Sequence, residues 1–313
     1  MEKKTLSFVI PCYRSENTIS RVVDEIIETV GKRENYDYEI VCVNDCSPDN
    51  VYQVLVGLAK QNKNIKVINL AKNMGKHAAV LAGYAHVTGD YIVNMDDDFQ
   101  CPGYALWDLI DPLILEDYDF TTASYVRKEQ ALWKNLGSNI NSLMSQMLLG
   151  KPKGIRFENF SAMKRFVMDE IVKYTNPYPY LEGLVLRVTH NIKTVVMEER
   201  CRADQNVTGY TFYKSLALWI NGFTAFSVKP LRLATLAGIF TAAVGFVVGI
   251  IMVIRKLVDP NVVLGYTSLA CIELFLGGMI LMCLGLIGEY IGRIYICINK
   301  SPQYVIKEKI NIT

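Results

Sequence analysis

At 313 residues the chain has room for one large domain or two ordinary ones, and 33 Lys+Arg against 31 Asp+Glu leave it almost neutral. That balance excludes the basic footprint of a nucleic-acid-binding protein. Apolar residues reach 51% and are unevenly spread: residues 229–313 hold only eight Lys+Arg and four Asp+Glu, leaving 25 and 27 to residues 1–228. A soluble part is followed by a membrane part.

The N-terminal apolar run Leu6–Ile10 is too short for a signal peptide and stops at Pro11. Eight cysteines form no C-x-x-C pair and three histidines show no ligand spacing, so a zinc site is not expected and the thiols read as free, in a reducing cytosol. Thr5–Ile10 is a predicted strand ending in Pro11-Cys12-Tyr13-Arg14. Ile19, Val22, Val23, Ile26, Ile27 and Val30 recur at helical spacing up to Gly31. Tyr38–Val43 is a second strand and Val51–Ala59 a second helix; Ile65–Leu70 is a third strand, after which Asn73-Met74-Gly75-Lys76 opens a helix through Ala85. Tyr91-Ile92-Val93 then leads into Asp96-Asp97-Asp98-Phe99-Gln100. Four strand–helix alternations in about 100 residues predict a parallel, doubly wound sheet whose post-strand loops face one crevice. No Gly-x-Gly-x-x-Gly and no Walker pattern occurs.

Three carboxylates in a row at the end of a buried strand are costly unless a cation joins them. Asp-x-Asp with an amide two residues on is a hard-oxygen set suited to Mg²⁺ or Mn²⁺. An acidic helix N-terminus is the other reading of the same residues. Further on, Tyr118–Tyr125 is a fifth strand, Gln130–Leu149 a long helical stretch broken at Gly150–Gly154, Asn159–Met163 a short strand, Phe166–Tyr174 a helix and Thr194–Met197 the last strand. Tyr210–Phe226 reads as an amphipathic helix for a membrane interface. Leu233–Ile254 is uncharged and long enough to span a bilayer, and Val262–Gly288 is a second apolar run carrying Glu273. The short connection makes them a hairpin. Lys229, Arg232, Arg293, Lys300, Lys307 and Lys309 lie outside it, which places both ends in the cytoplasm by the positive-inside rule. The expected divisions are 1–208 catalytic, 209–231 interfacial, 232–292 a transmembrane hairpin with spans at about 233–254 and 264–288, and 293–313 a cytoplasmic tail.

Taken in order, Val9–Asn17, Val43-Asn44-Asp45-Cys46-Ser47, Asn73–Lys76, Asp96–Gln100, Phe226–Arg232, Gly288-Glu289-Tyr290-Ile291-Gly292-Arg293 and Pro302-Gln303-Tyr304 resemble a family 2 glycosyltransferase of GT-A fold. The resemblance is to enzymes that load sugar onto polyprenyl phosphate, such as bacterial undecaprenyl-phosphate glucosyltransferases and dolichol-phosphate mannose synthases, and it covers essentially the whole chain. It implies an α/β GT-A domain plus a two-helix hairpin in the bacterial inner membrane. The activity implied is inverting, metal-dependent transfer of a hexose from a nucleotide sugar, UDP-linked by subgroup, to polyprenyl phosphate, in a homo-oligomer that the resemblance makes a tetramer. By position, Pro11, Tyr13, Glu16, Asp45, Lys76, Asp96 and Asp97 belong to nucleotide binding, and Asp96, Asp98 and Gln100 to the divalent metal. Arg127, Lys134, Ser138 and Arg202 fall where the family holds the acceptor phosphate.

The chain departs from the family at one telling place. A segment that commonly supplies a carboxylate reads Phe157-Glu158-Asn159-Phe160-Ser161, and a later arginine is replaced by Glu182. Asn159 and Glu182 are therefore catalytic candidates beside Asp96 and Asp98, with Glu182 or Glu158 expected to contact the sugar. A lipid phosphate with a second pKa near about 6 is already ionised at neutral pH and needs no strong general base. A processive synthase is disfavoured by the absence of Gln-x-x-Arg-Trp. Transfer to another lipid acceptor and an inactive nucleotide-sugar-binding protein are the alternatives.

Overall fold

Uniformly apolar runs, rather than alternating ones, build the centre of the sheet. In the computed structural model, β1 (Lys4–Cys12) buries its last seven residues, β2 (Tyr36–Asn44) its last six and β3 (Ile65–Leu70) all but Lys66. This is the pattern of parallel strands covered on both faces. The structure describes residues 3–125, 151–198 apart from 153 and 178, then 200, 229–258, 266–299 and 301–312. The predicted helices Gln130–Leu149 and Tyr210–Phe226 lie outside the described residues.

One compact unit joins the N-terminal two thirds of the chain to residues 300–313. Its eight-stranded sheet has the order β7-β5-β6-β4-β1-β2-β3-β8, with β4 at Tyr91–Asn94, β5 at Phe120–Tyr125, β6 at Ser161–Lys164, β7 at Ile192–Met197 and β8 at Ile306–Ile310. Adjacent strands β3, β2, β1 and β4 are parallel. Antiparallel β6 then separates β4 from β5, and β7 pairs parallel with β5. The sheet is therefore mixed, with β6 and β8 running against the rest.

Helices α1 (Ile19–Gly31), α2 (Val51–Gln61) and α4 (Leu106–Leu115) bury Val23, Ile26, Leu55, Leu109 and Ile110 in one apolar cluster with Phe8, Ile10 and Cys42. The opposite face carries α3 (Lys76–Tyr84) and α5 (Arg165–Val172), with α6 (Leu181–Val188) packed beside α5. Small residues let α3 come close: a Cβ on Gly83 would lie 2.4 Å from Val9 Cγ1. Any side chain there would force helix and sheet apart.

The predicted final strand is not final. Sequence analysis leaves 293–313 as a tail, whereas Ile306–Ile310 returns to the sheet as β8, antiparallel to β3 with Val67 opposite Ile310. Tyr52 Oη donates to Glu308 at 2.5 Å, and Asn311 Nδ2 donates to the carbonyls of Ala59 and Ile65, both at 2.8 Å. Gln303 Nε2 donates to the carbonyls of Tyr174 and Asn176 at 2.8 and 2.6 Å. Lys-Glu-Lys at its centre makes β8 look like a solvated segment in sequence; charged residues are what a short edge strand uses to stay soluble.

The second unit, 211–299, contains α7 (Lys229–Val258) and α8 (Tyr266–Ile298). Their most apolar windows, Ala234–Ile251 and Phe275–Ile298, have mean hydropathies of 2.2 and 1.7 and bury none of their residues. Both helices are long and apolar enough to cross a bilayer, at about 1.5 Å rise per residue. Exposed Phe240, Phe246, Phe275 and Leu281 would face lipid, and Thr241 Oγ1 lies 3.0 Å from Met279 Sδ. Glu273 is exposed and falls just outside the second apolar window.

At the N-terminal ends of the parallel strands one buried carboxylate ties four segments together. Glu39 of β2 accepts from Ser7 Oγ, Lys66 Nζ and Thr88 N–H, each at 2.5 Å, and from Gly89 N–H at 3.2 Å. Burial alone would raise its pKa, but Lys66, Ser7 and Thr88 outweigh that and hold it below the ordinary value. Its stabilising contribution is then complete above the unfolded value of about 4.3 and is lost as pH falls through the lower folded one. Glu39→Gln strands the lysine and is expected to cost about 3 kcal/mol, or about 5–10 °C in the apparent Tm of the full chain. Thermal scans should show this deficit at pH 7 and a smaller one below about pH 4.

Candidate functional site

The C-terminal ends of β1, β2, β3 and β4 open on one edge of the sheet, and the loops that follow are cross-linked by their own acids. After β4, Asp97 Oδ2 accepts Tyr13 N–H at 2.8 Å and its carbonyl accepts Thr18 Oγ1–H at 2.6 Å. From the loop after β1, Glu16 Oε2 accepts Asn50 N–H at 2.9 Å, while Glu16 N–H donates to Asp49 Oδ2 at 3.1 Å. Arg14 N–H donates to Ser47 Oγ at 2.8 Å. Asp45, after β2, accepts Met74 N–H and Gly75 N–H at 2.7 and 2.9 Å and so shapes the turn before α3. Gly75 takes φ +84°, a conformation that suits glycine. Each loop after β1, β2 and β4 also holds one left-handed residue that is not glycine: Arg14, Cys46 and Phe99. Such backbone costs free energy and persists because these bonds over-determine it.

Asp96 is the hub. Oδ1 pairs with Lys76 Nζ at the start of α3, and Oδ2 accepts Asn159 Nδ2–H at 2.7 Å. Asn159 in turn accepts Asn94 Nδ2–H on its carbonyl at 2.9 Å, which fixes it to the last residue of β4. Burial and the charges of Asp96 and Asp98 push the Asp97 carboxyl up to about 6, against the pull of Tyr13 N–H. A cation beside this triplet would favour its ionised form.

Phe99 separates Asp98 from Gln100 and sits between two guanidinium groups, Arg21 at 4.3 Å and Arg200 at 4.5 Å from its ring centre. Arg200 also forms a bidentate pair with Glu25 of α1 at 2.5 and 2.7 Å. Stacking of this kind holds the loop in place. Gln100 N–H donates to Asp98 Oδ1 at 3.1 Å. Among the described residues no three Asp, Glu, His or Cys side chains are grouped so as to hold a metal ion by themselves. Two carboxylates and an amide are instead an open, hard-oxygen set, fitted to a cation such as Mg²⁺ that keeps waters and takes phosphate oxygens as further ligands.

Of the residues named from sequence, Tyr13 is 43% exposed at the crevice, with Arg14 over its ring at 5.5 Å. Pro11 is buried within β1 beside Val43 rather than on a loop. Asp45 is only 4% exposed, and burial raises its pKa against the pull of the Met74 and Gly75 N–H groups. Glu182, in the first turn of α6, accepts Tyr180 Oη–H at 2.8 Å, and burial lifts its pKa as well. Arg127, Lys134, Ser138 and Arg202 lie outside the described residues. Sequence reasoning passed over Arg21, Arg200, Lys151 and His77. Only His77 carried a signal, as one of three histidines and the neighbour of Lys76.

Glu182 and Asn159 share a recess between α3, β4, β6 and α6, with His77, Asn94, Glu158 and Ser161 among its polar lining and Tyr84, Phe120, Phe157 and Val185 among its apolar lining. Its empty volume, open mouth included, is about 480 Å³. Lys151 lies close enough for its charge to oppose the upward shift at Glu182.

Residues 7–172 match Glycosyl transferase family 2, and residues 229–294 match the GtrB C-terminal hairpin. The chain is 31% identical over 308 residues to the putative glycosyltransferase CsbB of Bacillus subtilis, covering 98% of this chain and 93% of that one. It is equally 31% identical to the SfII prophage-derived bactoprenol glucosyl transferase of Shigella flexneri, over 97% of each. Among solved structures, glucosyl-3-phosphoglycerate synthase from Mycobacterium tuberculosis, in complex with Mn²⁺, uridine diphosphate and phosphoglyceric acid, superposes with a TM-score of 0.51 at 18% identity. That match covers 69% of this chain and 75% of that one. Its likeness is one of GT-A fold.

Asp45→Asn is expected to turn an amide N–H₂ toward the backbone N–H of Met74 or Gly75. One buried donor then loses its acceptor, at about 1–3 kcal/mol. Thermal unfolding of the variant should show that loss, and Asp45→Ala, which strands both donors, a larger one.

Proposed function

The chain belongs to glycosyl transferase family 2, and from that premise we propose that it transfers a hexose from a nucleoside diphosphate sugar to a polyprenyl phosphate, with inversion, at the cytoplasmic face of a bacterial inner membrane. The observation that carries this reading is likeness over the full length, hairpin included, to a bactoprenol glucosyl transferase. UDP-glucose is the donor proposed, by analogy with that relative's glucosyl transfer and the UDP bound by the mycobacterial synthase.

In this reading the exposed Tyr13 ring stacks on the base, and Glu16 and Asp45 shape the loops around it. Lys76 shares its charge between Asp96 and the diphosphate. Asp98, Gln100 and Asp96 are the residues to hold Mg²⁺ or Mn²⁺; such a cation stabilises the charge of the departing diphosphate. Asn159 steadies Asp96 by its amide. A lipid phosphate oxygen attacks C1 on the face opposite the diphosphate. One C–O bond forms as the other breaks, and no proton need leave the ionised nucleophile. Arg127, Lys134, Ser138 and Arg202 are the proposed grip on that phosphate, with arginine suited to two-point contact. Two apolar helices between β7 and β8, after which the chain rejoins the sheet it left, support a reading with both soluble segments on one side of the membrane; the basic flanks favour the cytoplasm. A homo-oligomer, a tetramer by family resemblance, completes the proposal.

Membranes carrying the protein, given a panel of nucleotide hexoses, undecaprenyl phosphate and Mg²⁺ or Mn²⁺, should form a hexosyl-phosphoryl lipid identifiable by mass. Product only on a diacylglycerol or ceramide acceptor would replace the proposed acceptor, and no product from any donor would overturn the activity. Asp98→Ala should reduce turnover about a thousandfold, the several kcal/mol a leaving-group cation contributes. Turnover should also fall about tenfold per pH unit below about pH 6, as the acceptor loses its second ionisation. Glu182→Gln should leave that acid limb in place; its disappearance would assign the limb to the side chain.

A further inference from the structure

The recess beside Asp96 holds more polar chemistry than the packing of α6 requires. His77 Nδ1 and Asn94 Oδ1 are shut off from solvent and have no hydrogen-bond partner among the described residues. Such groups are costly when left unpaired, so a fold keeps them where water, an ion or a ligand satisfies them. Both line the recess, as does Glu182. The Tyr180 ring stands edge-on to His77 at 5.9 Å while its hydroxyl holds Glu182. Acceptors set among aromatic rings suit a ligand that alternates hydroxyl groups with apolar C–H faces, as a hexose does. Position agrees: His77 follows Lys76, and Asn159 on the recess wall bonds Asp96. The recess therefore adjoins the residues read as the diphosphate site.

Resting on the reading of the chain as a nucleotide-hexose transferase, we propose that His77, on the wall of this recess, is a specificity-determining residue for the hexose, its Nδ1 accepting a hydrogen bond from one sugar hydroxyl. Burial, reinforced by the neighbouring Lys76 charge, lowers the His77 pKa to about 4. The imidazole is therefore neutral at pH 7 and keeps an acceptor nitrogen. A hexose epimerised at the hydroxyl His77 reads would leave that nitrogen unpaired again, and is refused for that reason. Glu182 accepts from a second hydroxyl, which fixes the ring's orientation.

Two measurements on the full-length protein in detergent test this. The chain has three histidines, so ¹⁵N-histidine spectra resolve them with single-substitution controls. With no acceptor present, UDP-glucose should move the His77 Nδ1 resonance and UDP alone should not. An equal shift with both, or with neither, overturns the proposal, and this needs no variant that folds. In His77→Phe, kcat/KM for UDP-glucose should fall about tenfold or more, the size of one lost buried hydrogen bond, with UDP binding changed by less than about twofold. The preference for UDP-glucose over one of its single-hydroxyl epimers, such as UDP-galactose, should narrow by a similar factor. Unchanged kcat/KM and unchanged epimer preference across the hexose panel in an active, folded variant would sink the role of His77. A wild-type protein that neither binds nor turns over any nucleotide hexose would instead sink the underlying reading of the enzyme.

Discussion

Backbone N–H groups bound by acids from neighbouring loops are the constraint on which the crevice depends. A parallel sheet ends in several loops with little reason to agree on a shape. Here Asp97 holds the loop after β1, Glu16 and Asp49 join that loop to the one after β2, and Asp45 holds the one after β3. Each bond is worth about 1 kcal/mol alone, but together they link the loops after β1, β2, β3 and β4, so losing one loosens its neighbours. The set therefore forms as a whole, and it carries three left-handed non-glycine residues with it. Preorganisation is what a site for a charged leaving group needs, since donors and charges already in place require no rearrangement during reaction.

That division of labour changes how the acids are read. A nucleotide-binding carboxylate and a loop-fixing one have the same sequence signature, and Asp45 with both oxygens on backbone N–H groups fits the second as well as the first. Asp96 is similar, because Lys76 and Asn159 take one oxygen each. Asparagine at 159 is then a neutral tether in place of a second charge. A carboxylate there would face Asp96 directly, and two like charges at hydrogen-bond distance raise each other's pKa. Loss of that acid is tolerable in chemistry whose nucleophile arrives already ionised.

Much of the fold was legible because long-range patterning and local propensity agree. The first four strands read as apolar runs, α1 as a 3.6-residue repeat, and the hairpin as two long apolar stretches, one uncharged and one with Glu273 alone. What escaped was decided by pairing partners that sequence does not display. Nothing in Ser161–Lys164 announces that it will insert antiparallel between β4 and β5. Nothing in Lys307-Glu308-Lys309 announces an edge strand, because its alternation is masked by charge. In the site, Asp96–Gln100 stood out because consecutive acids are costly to bury. Phe99 between Arg21 and Arg200 did not, since cation–π partners 78 and 101 residues away leave no spacing to read. His77 was visible only as a rare residue in a suggestive place.

The return of the chain through β8 has a consequence for how the molecule is made. Until the ribosome has delivered residues beyond both membrane spans, β3 is an open edge, with backbone donors and acceptors that any passing strand can pair with. Synthesis of the hairpin thus precedes closure of the soluble sheet, and β3 is covered only once both apolar helices have been made. Tyr52, Asn311 and Gln303 complete that seal. A nascent chain stalled before this point exposes an aggregation-prone edge, so biogenesis itself distinguishes anchored molecules from unfinished ones.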